Sequence, residues 1–280
     1  MERVLVTGAN GQLGYDVVLR LRALGYDVYA ADMPEMDVTS SDAVRSVFDE
    51  FRPEAVIHCA AYTAVDKAES EPVACARINV DGTRNVAEAA QRAGAKMIYI
   101  STDYVYAGSG CCPMCEDAPK APCNVYGRTK FDGEQAAKAC SRLFIVRTSW
   151  VFGRHGGNFV KTMLRLAEGR DTLQVVCDQI GSPTFTEDLA ALLCEMLRTE
   201  KYGVYNASND GFCSWHTFAE TIFQLAGKKV CVQPVKSCDY ACAAVRPLNS
   251  RLSKQSLIVA GFSVLPHWKD ALARFLHSEI

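Results

Sequence analysis

"RVLVTGANGQLG", residues 3–14, decides the fold. A β-branched apolar run leads straight into Gly8, Gly11 and Gly14, spaced G-x-x-G-x-x-G. Beyond them Leu13, Val17, Val18, Leu21 and Leu24 share one face of a helix. Strand, glycine turn and helix in that order let a backbone approach a pyrophosphate closely and set it at the positive helix N-terminus. A glycine-rich turn alone is a weak signal. Its place between a strand and a helix makes a dinucleotide the expected ligand. Asp32 ends the second apolar run, where a carboxylate can accept from the ribose hydroxyls of an adenosine. Asp37, in "MDVTS", reads either as a nucleotide contact or as the acidic start of the next helix.

Working outward, further runs of the same kind follow: "YDVYAA" (26–31), "EAVIHC" (54–59), "KMIYIS" (96–101) and "LFIVRTS" (143–149). Amphipathic stretches separate them, among them a long helix expected from Val73 to Ala93. Such alternation predicts an α/β fold, a doubly wound parallel (Rossmann) sheet with helices on both faces. After residue 150 the rhythm loosens. "DTLQVVCD", "GVYNAS" and "KKVCVQPV", with helical stretches at 186–198, 214–226 and 266–278, suggest a smaller mixed region. The expected division is a dinucleotide-binding domain over 1–150 and a mainly substrate-binding α/β region over 151–280, packed on the first.

The totals set limits on partners. Apolar residues are 49% and charged residues 22%, so a chain of 280 residues has the means to bury a sizeable core. Thirty basic and 32 acidic side chains leave a net charge of −2, too little to recruit nucleic acid or an anionic membrane. The opening reads as a strand rather than as an export signal, and no apolar run nears the ~20 residues that span a bilayer. A cytoplasmic protein is expected. Thirteen cysteines in such a chain argue for reduced thiols rather than a disulfide scaffold. Cys59, Cys75, Cys140, Cys177 and Cys194 sit in apolar surroundings. Cys111, Cys112 and Cys115, with Cys123 nearby, have partial zinc spacing but no regular second knuckle, and the expectation is a metal-free, oxidation-prone loop.

"NVYGRTK" (124–130) puts Tyr126 and Lys130 one helical turn apart. Spacing alone does not make them a catalytic pair. Beside a nucleotide loop, a helix after the fourth strand would turn both toward the crevice at the strand ends, where "STD" (101–103) also points Thr102 and Asp103. A phenol with a reference pKa near ~10 would then be lowered by the neighbouring ammonium. Tyr126 is the expected general acid toward a carbonyl oxygen, with Thr102 as second donor and Lys130 also on the nicotinamide ribose.

Taken together, "TGANGQLG", "AAYTAVDKAE", "STDYVYAG", "NVYGRTKFDGE", "RTSWVFG", "NFVKTML", "DQIGSPT" and "RPLNSRL" resemble, in order and over nearly the whole chain, the dTDP-4-dehydrorhamnose reductase family of the extended short-chain dehydrogenase/reductase superfamily. The resemblance implies NADH- or NADPH-dependent reduction of a dTDP-4-keto-6-deoxy sugar, the step that yields dTDP-L-rhamnose. It implies nucleotide contacts at Gly11, Gln12, Leu13, Asp32, Asp37, Val38, Ala61, Tyr62, Thr63, Tyr126 and Lys130, and sugar contacts at Thr102, Asp103 and Trp150. Some members of the family dimerise around a magnesium held by carboxylates. Asp16 and Glu187 fall in the corresponding motifs, but Asp16 is a methylene shorter than the glutamate associated with that place, so neither the Mg2+ nor a homodimer is assigned from sequence.

Rival readings remain. A sugar-nucleotide 4,6-dehydratase would want an Asp-Glu couple where this chain has Asp103-Tyr104, and a 3,5-epimerase-reductase would want a cysteine at position 103, so both of these fall. Another 4-keto sugar-nucleotide reductase stays open. So does a non-catalytic NAD(P)-binding subunit resembling the β subunit of methionine adenosyltransferase.

Overall fold

The computed structural model describes residues 2–279. Five parallel strands, β1 (Arg3–Thr7), β2 (Asp27–Ala31), β3 (Ala55–His58), β4 (Lys96–Thr102) and β5 (Leu143–Thr148), fall where the apolar runs predict them. The lateral order is β2-β1-β3-β4-β5, closed at the edge by the strand Gly203–Asn206, and every neighbouring pair is parallel. Val4 and Ala55, paired in register, are both fully buried, as expected of strands covered on both faces. On one face pack α1 (Gln12–Ala23) and the helix Thr186–Leu197, through Val17, Leu21, Leu189 and Leu193. On the other lie α2 (Ser41–Phe51) and the helices Thr83–Ala93 and Val125–Ala137, through Phe48, Val86, Ala90 and Ala137. The order reverses between β1 and β3. A crevice at the carboxyl ends of the strands follows from that reversal.

Two elements depart from expectation. "GVYNAS" belongs to the main sheet, Val204 standing opposite Ile145, with Val204 packed toward one core and Tyr205 toward the other. It is an edge strand covered on both faces, and its distance in sequence hid that role. Residues 151–280 therefore supply an edge strand and a covering helix to the nucleotide-type unit as well as forming the smaller region. The helix expected from Val73 to Ala93 is also not uniform. It runs as Pro72–Ala76, a π-helical turn Arg77–Gly82 and Thr83–Ala93. The widened turn carries Asn79, whose Oδ1 accepts from Tyr62 N (2.8 Å) and whose Nδ2 donates to Thr129 Oγ1 (3.0 Å). Local π turns of this kind often mark functional places, and this one fixes the loop 60–64 over the crevice.

The smaller region is a set of short pieces. Cys231–Val235 pairs in parallel with Thr172–Val176, and Ile180–Gly181 lies between Cys213–Ser214 and Asn249–Ser250. Its core is aromatic, with Phe152 stacked on Phe185 and Phe275 edge-on to both.

A buried ion pair joins these parts. Arg147 on β5 and Glu134 on the helix Val125–Ala137 are 3% and 2% exposed, and they meet twice, at 2.8 and 2.7 Å. Ser101 Oγ donates to the same carboxylate (2.6 Å), while Arg147 Nη1 donates to the Tyr106 hydroxyl (2.7 Å) and to the Glu116 carbonyl (2.9 Å). Removing one member of such a pair strands a charge away from water. Glu134→Gln is therefore expected to lower unfolding stability by about 3–5 kcal/mol. Glu134→Leu combined with Arg147→Met is expected to lose clearly less, as read from denaturant midpoints.

Candidate active site

The glycine turn is built by close approach. Gly11 N donates to Gly8 O (3.0 Å), and a Cβ on Gly14 would stand 2.1 Å from that same oxygen. α1 has no side-chain cap, so its first amides stay open to a ligand. The carboxylate of Asp32 grips the turn from β2, Oδ2 accepting from Asn10 N and Oδ1 from Met33 N, each at 2.9 Å. Asp37 accepts from both the amide and the hydroxyl of Thr39 (2.8 Å each), and that hydroxyl in the first place holds its pKa below the ordinary value. The next helix starts later, capped by Ser40.

A cleft of about 680 Å³ opens over this turn. Gly8, Gly11, Gln12, Leu13 and Gly14 line its floor, and Asp32, Asp37 and Val38 line one end. Ala61 and Thr63 line a side, while Thr102, Asp103, Tyr126, Lys130 and Trp150 line the other end. Tyr62 stands apart. Its phenol donates to Glu71 Oε2 (2.8 Å), outside the cleft lining, and only its main chain runs between Ala61 and Thr63.

The reactive end depends on how closely one helix approaches one strand end. Asn124 caps the helix Val125–Ala137 by accepting from Gly127 N (2.7 Å). A Cβ on Gly127 would lie 2.3 Å from the Tyr104 carbonyl oxygen, so the glycine after Tyr126 is what lets the helix close on the turn after β4. Tyr126 thereby lines the same cleft as Thr102. Thr102 Oγ1 accepts from Tyr104 N (3.2 Å) and donates to Asp103 Oδ1 (3.0 Å).

The electrostatics differ from the expectation drawn from spacing. Lys130 Nζ sits over the Tyr99 ring, 4.2 Å from its centroid, rather than acting on the Tyr126 phenol. Burial pushes Lys130 down to about 7 against the opposing pull of Glu134. Burial also pushes the Tyr126 phenol above its ordinary value, with only the Thr102 side chain working the other way. Desolvation outweighs the neighbouring ammonium, and the tyrosine is a held proton rather than a poised phenolate.

The carboxylates considered for magnesium are engaged elsewhere. Asp16, 5% exposed, accepts from the Thr186 hydroxyl, and Glu187 pairs with Arg154 at 3.1 Å. Among the described residues no group of three or more His, Cys, Asp or Glu could hold a cation. Cys111, Cys112, Cys115 and Cys123 are exposed free thiols, their loop tied back by Met114 N to Arg251 O (2.8 Å) and Asn249 Nδ2 to Cys112 O (2.8 Å).

Sequence reading missed one wall. Trp215, first residue of the helix Trp215–Leu225, lines the cleft and stacks on Trp150 with centroids 3.6 Å apart and planes 13° from parallel. Trp150 holds φ +48°, rare for a bulky residue, and the stack is what retains it there. The available signal was a rare tryptophan directly after a capping serine, Ser214.

Comparison with known proteins places the chain. The family model for the RmlD substrate binding domain matches residues 1–280. A spore coat polysaccharide biosynthesis protein of Bacillus subtilis, SpsK, is 40% identical over 99% of this chain and 97% of its own. A dTDP-4-dehydrorhamnose reductase of Aggregatibacter actinomycetemcomitans is 42% identical over 97% of each. The crystal structure of a dTDP-4-dehydrorhamnose reductase from Bacillus anthracis in complex with NADP superposes with a TM-score of 0.97 at 46% identity, covering 99% of both chains.

The stacked indoles carry their own signature. Trp150 and Trp215 should give an exciton couplet in circular dichroism, since Trp268, the third tryptophan, stacks on neither of them but packs edge-on to Phe218. Trp215→Phe should abolish the couplet. A couplet that survives would show that the stack is not formed in solution.

Proposed function

Because the chain belongs to the RmlD substrate binding domain family, we propose that it is an NAD(P)H-dependent reductase converting dTDP-4-dehydro-β-L-rhamnose to dTDP-L-rhamnose. The observation that carries the proposal is the convergence of Thr102, Tyr126 and Lys130 on one end of a cleft whose floor is the glycine turn. The proposed setting is the cytoplasm, with a homodimer as the proposed assembly. Among the described residues no helix is long and apolar enough to cross a membrane.

The floor fits a dinucleotide, since the Gly14–Gly8 approach leaves backbone rather than side chain facing the cleft. When bound, the dihydronicotinamide coenzyme supplies a hydride to the keto carbon. Every other part of the step falls to this chain. Tyr126 gives its proton to the carbonyl oxygen, and burial has kept that proton in place at neutral pH. Thr102, anchored by Tyr104 N, polarises the same oxygen. Lys130 presents its ammonium to the coenzyme ribose, and the Trp150 indole packs on the sugar.

Tyr126→Phe keeps the ring and removes the acid. Single-turnover oxidation of NADH with the keto-sugar should slow by ~10²–10⁴-fold while coenzyme binding persists. A variant retaining more than about a tenth of the parent rate would show that another group is the acid.

Coenzyme choice follows from Asp32. Its carboxylate lines the cleft beside the glycine turn, and with the adenosine ribose bound there a 2′-phosphate would meet like charge. NADH should serve at least as well as NADPH, and a kcat/KM favouring NADPH by more than about tenfold would refute this.

A further inference from the structure

Trp150 is covered on both faces of its indole. Trp215 stacks on one of them, with ring centroids 3.6 Å apart and planes 13° from parallel. Gly181 covers the other. A Cβ built there would stand 2.8 Å from Trp150 Cε2 and 3.0 Å from Cζ2. Cε2 is a ring-fusion carbon, shielded within the ring plane by its neighbours, so the glycine lies over the ring rather than at its rim. The two occupants cannot share a face, because stacked rings 3.6 Å apart leave no room between them. Trp150 is nonetheless only half-buried and lines the cleft, so what it shows the cleft is the rim of the indole.

We propose that Gly181 is a positioning residue for the sugar, acting through Trp150. Its missing side chain lets the strand Ile180–Gly181 and Trp215 grip the indole as two jaws. The grip sets how far the indole rim projects into the sugar end of the cleft. The inference rests on the reductase reading above, with Trp150 as the wall beside the sugar.

Both jaws belong to one small sheet. Gly181 stands opposite Cys213 on one side and Ser250 on the other, and Trp215 directly follows the strand Cys213–Ser214. Ser214 caps the helix that Trp215 begins, its Oγ accepting from Thr217 N (3.0 Å). Phe159 packs against the Trp215 ring with centroids 4.5 Å apart, which limits retreat of that jaw. The gripped residue is tied to the same region. Trp150 O accepts from Thr184 N (3.1 Å), and Ser149 Oγ donates to Ser182 O (2.8 Å). Main-chain bonds therefore fix the width of the slot before any ligand arrives.

Space, not backbone, demands the glycine. Gly181 lies outside the left-handed region, so alanine would meet no conformational penalty there. The added Cβ would also lie 3.0 Å from Ser250 Cβ on the paired strand, whereas carbon pairs rest at ~3.5–4.0 Å. Ser250 stands behind the methyl group, and Trp215 blocks the far face of the indole. The ring has to yield toward its open rim, into the cleft.

The test is a cycle of Gly181→Ala, Trp150→Phe and the double variant, with three measurements on each. Steady-state NADH oxidation with the dTDP-4-keto-6-deoxy sugar gives KM and kcat. Fluorescence titration gives coenzyme affinity, and circular dichroism gives the Trp150–Trp215 couplet. Gly181→Ala should raise the sugar KM by at least about fivefold, with kcat and coenzyme affinity each within about twofold of the parent. The couplet should weaken or shift. A phenyl ring does not extend to the Cζ2 position, so in the Trp150→Phe background the same alanine should change KM by less than about twofold. A glycine needed only for folding would cost as much in one background as in the other. Should Gly181→Ala fail to fold, the double variant should still fold, because the clash is gone, and an unfolded double variant overturns the proposal. Equal costs in the two backgrounds, an unchanged couplet or a loss confined to kcat overturn it as well. A parent that does not oxidise NADH on this sugar overturns the reductase reading itself, while the couplet of Gly181→Ala tests the grip without turnover.

Discussion

The site depends on how closely the helix Val125–Ala137 lies on the end of β4. The contact is backbone against backbone, Gly127 against the Tyr104 carbonyl, with no room for even a methyl group between them. Everything chemical at that end follows from it. Tyr126 precedes the contact and lines the cleft with Thr102, and Lys130 follows by one turn and lies over the ring of Tyr99 on β4. Further along, Glu134 meets Arg147 at the bottom of the same interface. The helix is therefore held at both ends, by a glycine that permits approach and by an ion pair that fixes depth.

That depth determines the protonation states. A lysine and a tyrosine on one exposed helix face would influence each other through solvent, and the ammonium would draw the phenol down. Here both are desolvated by the packing that brings them together. For an enzyme working in the reductive direction this is the useful outcome, because an acid must carry its proton at neutral pH before the carbonyl arrives. Glu134 offsets part of the same penalty on Lys130, so the pair that fixes the helix also keeps an ammonium within reach at physiological pH.

Much of this was legible in the sequence, for identifiable reasons. The five strands were readable because a strand buried on both faces is a short, nearly continuous apolar run, and the glycine turn because its glycines answer to backbone contacts rather than to side-chain choice. The strand Gly203–Asn206 carried the same apolar signal, but which sheet it joins is a long-range pairing that four residues cannot specify. The π turn was hidden because Asn79 is polar on a helix and looks like surface until its amide is seen bonded to Tyr62 and Thr129. The pKa directions were misread for a similar reason. Residue spacing reports who is adjacent, whereas desolvation depends on what lies around both, here Tyr99, Cys59 and the sheet edge.

The far wall of the cleft shows why the two halves of the chain cannot act separately. Trp150 lies two residues beyond the end of β5 and, in a left-handed backbone conformation, stacks on Trp215, which belongs to the smaller region. The Trp150 carbonyl accepts from Thr184 N (3.1 Å), so even the strained peptide is tied to that region. On the opposite side, Tyr106 bridges Arg147 to Asn206 on the edge strand, and Asn206 bonds the carbonyl of Met114 in the cysteine-bearing loop. A substrate lying between Trp150 and Thr102 would thus be enclosed by groups whose orientation is set from residues beyond 200. The nucleotide end can be assembled from the first 40 residues and their strand neighbours. The end that would choose the sugar is assembled only when the chain has returned to the sheet.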